Sequence, residues 1–326
     1  MKKIQAIRID KFGGPEVMDW REIEVAEPGP GEVLLRHTAV GLNFIDTYHR
    51  SGLYPLELPS GLGTEAAGVV EACGPDVDHF KPGDRVTYVG MPPDAYSQAR
   101  VFSADRLVQL PDEIADQTAA AGMLKGLMAW YLLHRSYPVS AGDTVLLYAA
   151  AGGVGSITTQ WACSLGVKVI GVVSTDAKAD LATQLGCAHI VRSDSKDFLA
   201  EVKSLTGGEG VAAVYDSIGR DTFYQSLDCL RPHGTMVSYG NATGAVEPFS
   251  PLELARRGSL FLTRPVVFDF LTPRQALEDA TMQLFDRLLA GDITITVNQK
   301  VPLQQAADAH RALESRATTG STVLLP

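Results

Sequence analysis

The stretch LLYAAAGGVGSITTQWA, Leu146 to Ala162, decides the fold. An apolar run, a cluster of small residues and a longer mixed run predict a strand, a tight turn and a helix. In the G-x-G-x-x-G fingerprint the first glycine permits the turn, the second lets backbone approach a pyrophosphate, and the third lets helix and strand pack closely. Here the three positions are Ala150, Gly152 and Gly155. Two roles are met by glycine, and alanine can fill the first if its φ stays negative. Amide N–H groups at the helix start would then face the pyrophosphate.

The surroundings support this reading. DTVLLYA, VKVIGVVS, VAAVYDS and TMVSYG are apolar almost throughout, and VGSITTQWACSLG, DAKADLATQLG and SKDFLAEVKSLTG between them have helical character. Continuously apolar strands alternating with helices of about three turns predict a parallel sheet covered on both faces, a doubly wound nucleotide-binding domain. Residues 1 to about 120 differ. EVLLRHTAVGLN, TEAAGVVEACG, GDRVTYV and AYSQARVF are short β-prone runs separated by Gly, Pro and Asp. The C-terminal VPLQQAADAHRALESRATTGSTVLLP reads as a helix and a strand outside the alternation, able to return to the first domain.

The dinucleotide is chosen about 20 residues downstream, where NAD enzymes place Asp or Glu on the ribose hydroxyls. This chain has Ser174 and Thr175 there, then Lys178, and Arg192 with Ser193 after the next strand. Hydroxyls and cations suit a 2′-phosphate that a carboxylate would repel, so NADPH is expected. Asp176 is expected as a helix N-cap.

Bulk properties narrow the class. The chain has 326 residues, 45% of them hydrophobic, and a formal charge of −10. That length predicts two domains, and that charge argues against a nucleic-acid backbone as partner. No apolar run is long enough for a membrane span, and MKKIQAIRID has no secretory apolar core, so a cytoplasmic protein is expected. Cys73, Cys163, Cys187 and Cys229 are scattered and read as free thiols.

GTEAAGVVEACGPDVDHFKPGDRV, followed in order by AAAGGVG, resembles the medium-chain dehydrogenase/reductase superfamily. GLNFIDTYHRSGLYP, LPSGLGTEAAG, VYDSIGRDTFYQSLDCL, MVSYGNATG, SLFLTRP and ESRATTGSTVLLP are similar to its quinone oxidoreductase, or zeta-crystallin-like, branch. The resemblance implies an α/β protein: a GroES-like β-rich catalytic domain from residues 1–125 and 264–326, and a Rossmann doubly wound parallel-sheet domain from 126–263. It also implies a homodimer joined through the Rossmann sheets. Zinc-dependent cousins ligate metal with a cysteine and with the histidine of a Gly-His-Glu segment. Those positions read Asn43 and Gly63-Thr64-Glu65, and neither Asn nor Thr is a ligand that zinc prefers, so no metal is expected. His37 and His49 nearby lack companion ligands.

The resemblance further implies that Asn43, Tyr48, Tyr54 and Thr64 line the cleft near the nicotinamide, with Asn43 also on the cofactor. Tyr48 is either a hydrogen-bond donor to a carbonyl oxygen or a wall of the pocket. Ala151, Gly152, Gly153 and Val154 are implied at the pyrophosphate, Lys178 at the 2′-phosphate, and Ser217, Tyr239 and Asn241 at the ends of later strands. Val266 and Arg316 are implied at the nicotinamide end, Arg316 having an interdomain salt bridge as its alternative. Two positions depart from the branch: Ser193 stands where relatives often carry tyrosine, and Met128 where they often carry threonine. Without a Lewis acid, the acceptor must itself delocalise incoming charge. A small quinone fits best. An α,β-unsaturated carbonyl is the close rival, and a non-enzymatic NADPH-binding protein, crystallin-like or RNA-binding, is the reading from another class.

Overall fold

The computed structural model describes residues 1–315 and 318–326. The chain runs β1 (Lys2–Arg8), β2 (Asp19–Val25), β3 (Glu32–Gly41), α1 (Phe44–Ser51), β4 (Glu65–Cys73), β5 (Arg85–Val89), β6 (Ala99–Ser103), β7 (Leu107–Gln109) and α2 (Asp116–Tyr131). It continues through β8 (Thr144–Tyr148), α3 (Gly153–Ser164), β9 (Lys168–Val173), α4 (Asp176–Gln184), β10 (His189–Arg192), α5 (Phe198–Leu205), β11 (Val211–Asp216), α6 (Phe223–Asp228) and β12 (Leu230–Ser238). Next come α7 (Leu252–Arg256), β13 (Phe261–Thr263), α8 (Arg274–Ala290), β14 (Val297–Pro302), α9 (Ala306–Glu314) and β15 (Ser321–Leu325). Met1–Leu124, Pro273–Met282 and Ile295–Pro326 form one compact unit, and Lys125–Thr272 with Gln283–Thr294 form the second.

In the first unit a sheet runs β14-β15-β3-β4-β5-β7, with β6 also on β3, and β1 and β2 form a separate antiparallel ribbon. Its core gathers Ile7, Val33, Leu35, Leu62, Tyr88, Phe102, Leu107 and Leu324. The C-terminal strand β15 does return to this sheet, pairing antiparallel with β3 through Val323↔Gly41 and Leu324↔Val40. Gly68 is required where β4 crosses β3, because a Cβ there would lie 2.3 Å from the Arg36 carbonyl oxygen.

The second unit carries a six-stranded sheet in the order β10-β9-β8-β11-β12-β13, and every pairing in it is parallel. β11 is buried at all six positions and β9 at all but Lys168, as strands covered on both faces must be. Reading outward from β8 in sequence order gives the doubly wound arrangement, with the strand order reversing between β8 and β11.

Residues 264–272 and 283–294, expected from sequence in the first domain, pack instead in the second unit. Phe270 stacks on Tyr131 at 5.2 Å, and Trp130 Nε1 donates to Gln283 Oε1 at 3.2 Å. Leu284 lies so close to Gly126 that a Cβ there would come within 2.4 Å of it. All four cysteines are free; Cys187 and Cys229 are buried, whereas Cys73 and Cys163 are half-buried. Burial pushes the Cys187 thiol up to about 11 and the Cys229 thiol up to about 12, so neither is a thiolate near neutrality. Among the described residues no helix is long and apolar enough to cross a membrane.

Candidate nucleotide cradle and acceptor-side residues

The glycine turn leaves the carboxyl end of β8. Ala149, not Ala150, takes the left-handed backbone, with a φ of 53°. Ala150 is fully buried and its N–H donates to the Val172 carbonyl at 3.3 Å, tying the turn to β9. Gly152 N–H donates back to Ala149 O at 2.8 Å and caps α3 without offering a side-chain acceptor. The opening amides of α3 therefore have no side-chain cap, an arrangement suited to an anion. A Cβ on Gly155 would sit 2.1 Å from Ala149 O, whereas one on Gly152 would lie 3.1 Å from the same oxygen. Gly155 is thus the close-packing glycine, and Gly152 is the less crowded of the two.

At the end of β9, Thr175 caps α4, its hydroxyl accepting from Lys178 N–H at 3.3 Å. Asp176 is therefore not the N-cap expected from sequence; it is the first residue of α4 and pairs with Arg192. Arg192 also donates to the Ser174 carbonyl at 2.8 Å and lies 3.5 Å from Asp194. Ser193 N–H joins β10 to β9 through Val173 O at 2.9 Å. The negative charge of Asp176 is countered by the guanidinium beside it, and Lys178 stands two residues further along α4.

The ends of β11 and β12 are organised by Asp216, which the sequence reading missed. Its buried carboxylate accepts from the N–H groups of Ile218 (2.7 Å) and Gly219 (3.1 Å) and from the hydroxyls of Thr222 and Ser226 (both 2.7 Å). The two loops are zipped backbone to backbone, with Ala242 N–H on Ser217 O and Thr243 N–H on Ile218 O. Tyr239 is buried beside Ser217, and that burial pushes its phenol well above the ordinary value of 10. Asn241 is half-buried, and Val266 is 49% exposed before a short turn at Val267–Phe270. Arg316 lies outside the described residues. The turn after β8 and the residues after β9, β10, β11 and β12 all stand at the carboxyl edge of one parallel sheet, where open α/β sheets bind ligands.

In the first unit, Asn43 precedes α1 and Thr64 precedes β4. Asn43 Nδ2 donates to Glu65 Oε1 at 2.6 Å, and Asn43 N–H donates to Asp46 Oδ2 at 2.9 Å. Thr64 Oγ1 donates to Asp46 Oδ1 at 3.5 Å, and Tyr96 Oη donates to Asp46 Oδ2 at 2.9 Å. Glu65 Oε2 also accepts Leu124 N–H at 2.5 Å. Tyr48 and Tyr54 are half-buried and meet edge to face at 5.2 Å. This polar set does not fit zinc: Asn43 and Thr64 point donors at buried carboxylates, and neither residue is a thiolate or imidazole. Among the described residues no group of three or more His, Cys, Asp or Glu is placed to hold a metal ion.

His37 and His49 are buried rather than exposed. His37 Nδ1–H donates to Ser97 O at 2.7 Å and its Nε2 accepts from Tyr88 Oη at 3.0 Å. Burial lowers the His37 pKa to about 3 and that of His49 to about 4; burial and then Arg50 lower that of His310 to about 3. Each imidazole is neutral when folded but takes up a proton below about 6.5 when unfolded, so unfolding binds protons on acidification and stability rises with pH. Stability is therefore expected to fall as pH drops from about 6.5 towards 4, by about 1.4 kcal/mol per histidine per pH unit. Thermal melts at pH 7 and pH 5 check this, and an unchanged melting temperature would refute it.

Two family models match the chain: the alcohol dehydrogenase GroES-like domain over residues 29–137 and the zinc-binding dehydrogenase over residues 153–286. A quinone oxidoreductase of Pseudomonas aeruginosa is 49% identical, covering 98% of this chain and 99% of its own. A 2-haloacrylate reductase of a Burkholderia species is 47% identical over 99% of each chain. The crystal structure of Escherichia coli quinone oxidoreductase complexed with NADPH superposes with a TM-score of 0.97 at 46% identity, over 99% of this chain and 100% of that one. The chain belongs to the quinone oxidoreductase, zeta-crystallin-like branch of the medium-chain dehydrogenase/reductase superfamily.

Proposed function

We propose that this protein is an NADPH-dependent quinone reductase that acts without a catalytic metal. The observation that carries this reading is the donor set at Asn43 and Thr64, which is bound to Glu65 and Asp46 where zinc-dependent cousins place cysteine and histidine. With no Lewis acid to polarise a carbonyl, the acceptor must take up charge through its own conjugation, as a quinone does. When bound, NADPH supplies the hydride.

The residues of the chain bind, orient and exclude water. Ala151, Gly152, Gly153 and Val154 hold the pyrophosphate at the start of α3. Ser174, Thr175, Lys178, Arg192 and Ser193 surround the 2′-phosphate. Ser217, Tyr239 and Asn241 continue the cofactor's course along the sheet edge, and Val266 and Arg316 serve its nicotinamide end. Asn43, Tyr48, Tyr54 and Thr64 line the acceptor's cleft, and Tyr48 offers its phenol to a carbonyl oxygen. The first unit is proposed as the catalytic domain and the second as the NADPH-binding domain.

A second reading, reduction of α,β-unsaturated carbonyls, is favoured by the similarity to 2-haloacrylate reductase, whose name describes a conjugated alkene as substrate. NADPH oxidation measured in parallel with a benzoquinone and a conjugated enone decides between them. Turnover of the quinone is expected, and turnover of the enone alone would overturn the proposal.

Cofactor choice gives a separate test. Arg192→Ala is expected to lower kcat/KM about tenfold with NADPH and to leave NADH nearly unchanged, because the charge-assisted contact it removes is to the 2′-phosphate, which NADH lacks. Asp176→Asn should move the ratio the other way. Equal changes with both cofactors would remove these residues from phosphate recognition. We extend the proposal to a cytoplasmic homodimer joined along the parallel sheet. The edge strand β13, with Phe261 62% exposed, and the four free cysteines support it. A monomer mass by light scattering would count against it.

A further inference from the structure

Behind the acceptor-side residues lies a buried polar chain that the proposed reaction does not use directly. Arg50, on α1, donates from Nη1 to His310 Nδ1 at 2.9 Å. His310 Nε2 lies 3.0 Å from Tyr96 Oη, and Tyr96 Oη lies 2.9 Å from Asp46 Oδ2. Arg50, Asp46, Tyr96 and His310 are all at most 2% exposed. At its outer end Arg50 forms a bidentate pair with Glu314, at 2.6 and 3.1 Å, and its Nε donates to Gly13 O at 3.1 Å.

The chemistry of these groups fixes every hydrogen. A guanidinium can only donate, so His310 Nδ1 accepts and the imidazole proton sits on Nε2. That proton is donated to Tyr96 Oη, which leaves the phenolic hydrogen for Asp46. Every donor therefore points from the Arg50 cation towards the Asp46 carboxylate, and hydrogen bonds so aligned polarise and strengthen one another. His310 is kept neutral by burial and by Arg50, as this arrangement requires.

The inner end of the chain meets the acceptor-side residues. Asp46 also accepts from Asn43 N–H and from the Thr64 hydroxyl. Asp46 and Arg50 are one helical turn apart on one face of α1, and Tyr48, midway between them, projects from the opposite side. The helix is thus pinned through two buried side chains while Tyr48 stays half-buried.

We propose that Tyr96 and His310 are positioning residues: with Asp46 and Arg50 they form a one-directional hydrogen-bond relay that sets the placement of Asn43, Thr64 and the Tyr48-bearing helix for hydride transfer. This rests on the quinone reductase reading. The relay acts through geometry, so its loss should slow the chemical step and spare cofactor binding.

The test uses the full chain and the acceptor that the wild type reduces. Tyr96→Phe and His310→Leu are each expected to lower kcat about tenfold, a modest loss for displaced reacting groups, with KM for NADPH unchanged. The double variant should fall no further than either single one, because both break one chain. His310→Gln, which keeps an acceptor and a donor, should restore activity. Unchanged kcat in Tyr96→Phe, or losses that add in full, would overturn the relay. Should His310→Leu fail to fold, Tyr96→Phe decides alone, since it removes a single oxygen. ¹⁵N NMR of His310 gives a readout independent of turnover: a neutral ring protonated at Nε2 is expected from pH 5 to 9, and protonation at Nδ1 would contradict the relay. A wild type inactive with every quinone and enone, yet showing that tautomer, would refute the proposed function and not the relay's direction.

Discussion

Replacing Gly155 by alanine is expected to destabilise the protein and abolish NADPH binding together. The added Cβ would meet Ala149 O at 2.1 Å and Ala150 Cα at 2.8 Å, both backbone atoms that cannot swing aside. Overpacking of this kind costs about 1–3 kcal/mol or more, and each kcal/mol lowers the melting temperature of a domain this size by about 2–4 °C. Relief would require α3 to slide along β8, which displaces the opening amides of α3 that are proposed to hold the pyrophosphate. Gly152→Ala provides the contrast. Its Cβ would lie 3.1 Å from Ala149 O, a contact that a small shift relieves, so the fold should persist while the methyl group enters the proposed pyrophosphate site. Thermal melts and NADPH titration followed by fluorescence separate the two. A Gly155→Ala protein of wild-type stability would show that the turn is not packed as described.

Asp216→Ala is expected to have the second large effect. One buried carboxylate satisfies two amides and two hydroxyls, and its removal takes that acceptor from all four, leaving Thr222 only a 3.4 Å contact with Gly219 O. An orphaned buried donor costs on the order of 1–3 kcal/mol, partly recovered where the loop admits water. A loss of about 3 kcal/mol overall, or roughly 6–12 °C in melting temperature, is the expected result. NADPH affinity should fall as well, because the loop carrying Ser217 loses its anchor and Tyr239 packs against that loop. Asp216→Asn should be much milder: its Oδ1 can still serve Ile218 and Gly219, and the hydroxyls of Thr222 and Ser226 can turn to accept. Melting temperatures of the two variants check this. If the alanine and asparagine variants melt together, the carboxylate's hydrogen bonds do not hold the loop.

The parallel sheet was legible because strands buried on both faces must be apolar at nearly every position, and VAAVYD and KVIGVV state this directly. The edge strand β14 was not. Its burial alternates between half-buried and exposed, and VNQKVP has no apolar run to announce it. The strained residue of the turn was hidden among three consecutive alanines, where nothing marks Ala149 as the one with positive φ. Ser174, Thr175 and Asp176 are all good N-caps, so composition could not tell which would cap α4 and which would meet Arg192.

The buried polar network was the least legible part. Asn43 and Asp46 have the three-residue spacing of a capping box, which is a local signal. Arg50 and His310 stand 260 residues apart, Tyr96 and His310 stand 214 apart, and only the fold brings them together. Asp216 was missed, although an acid ending an otherwise apolar strand is a signal that could have found it.

The central claim is tested most directly by steady-state oxidation of NADPH and of NADH by a benzoquinone, using protein dialysed against a chelator. Turnover that is faster with NADPH and unchanged by the chelator is the predicted result. No quinone turnover, equal rates with the two cofactors, or activity restored only by added zinc would contradict it.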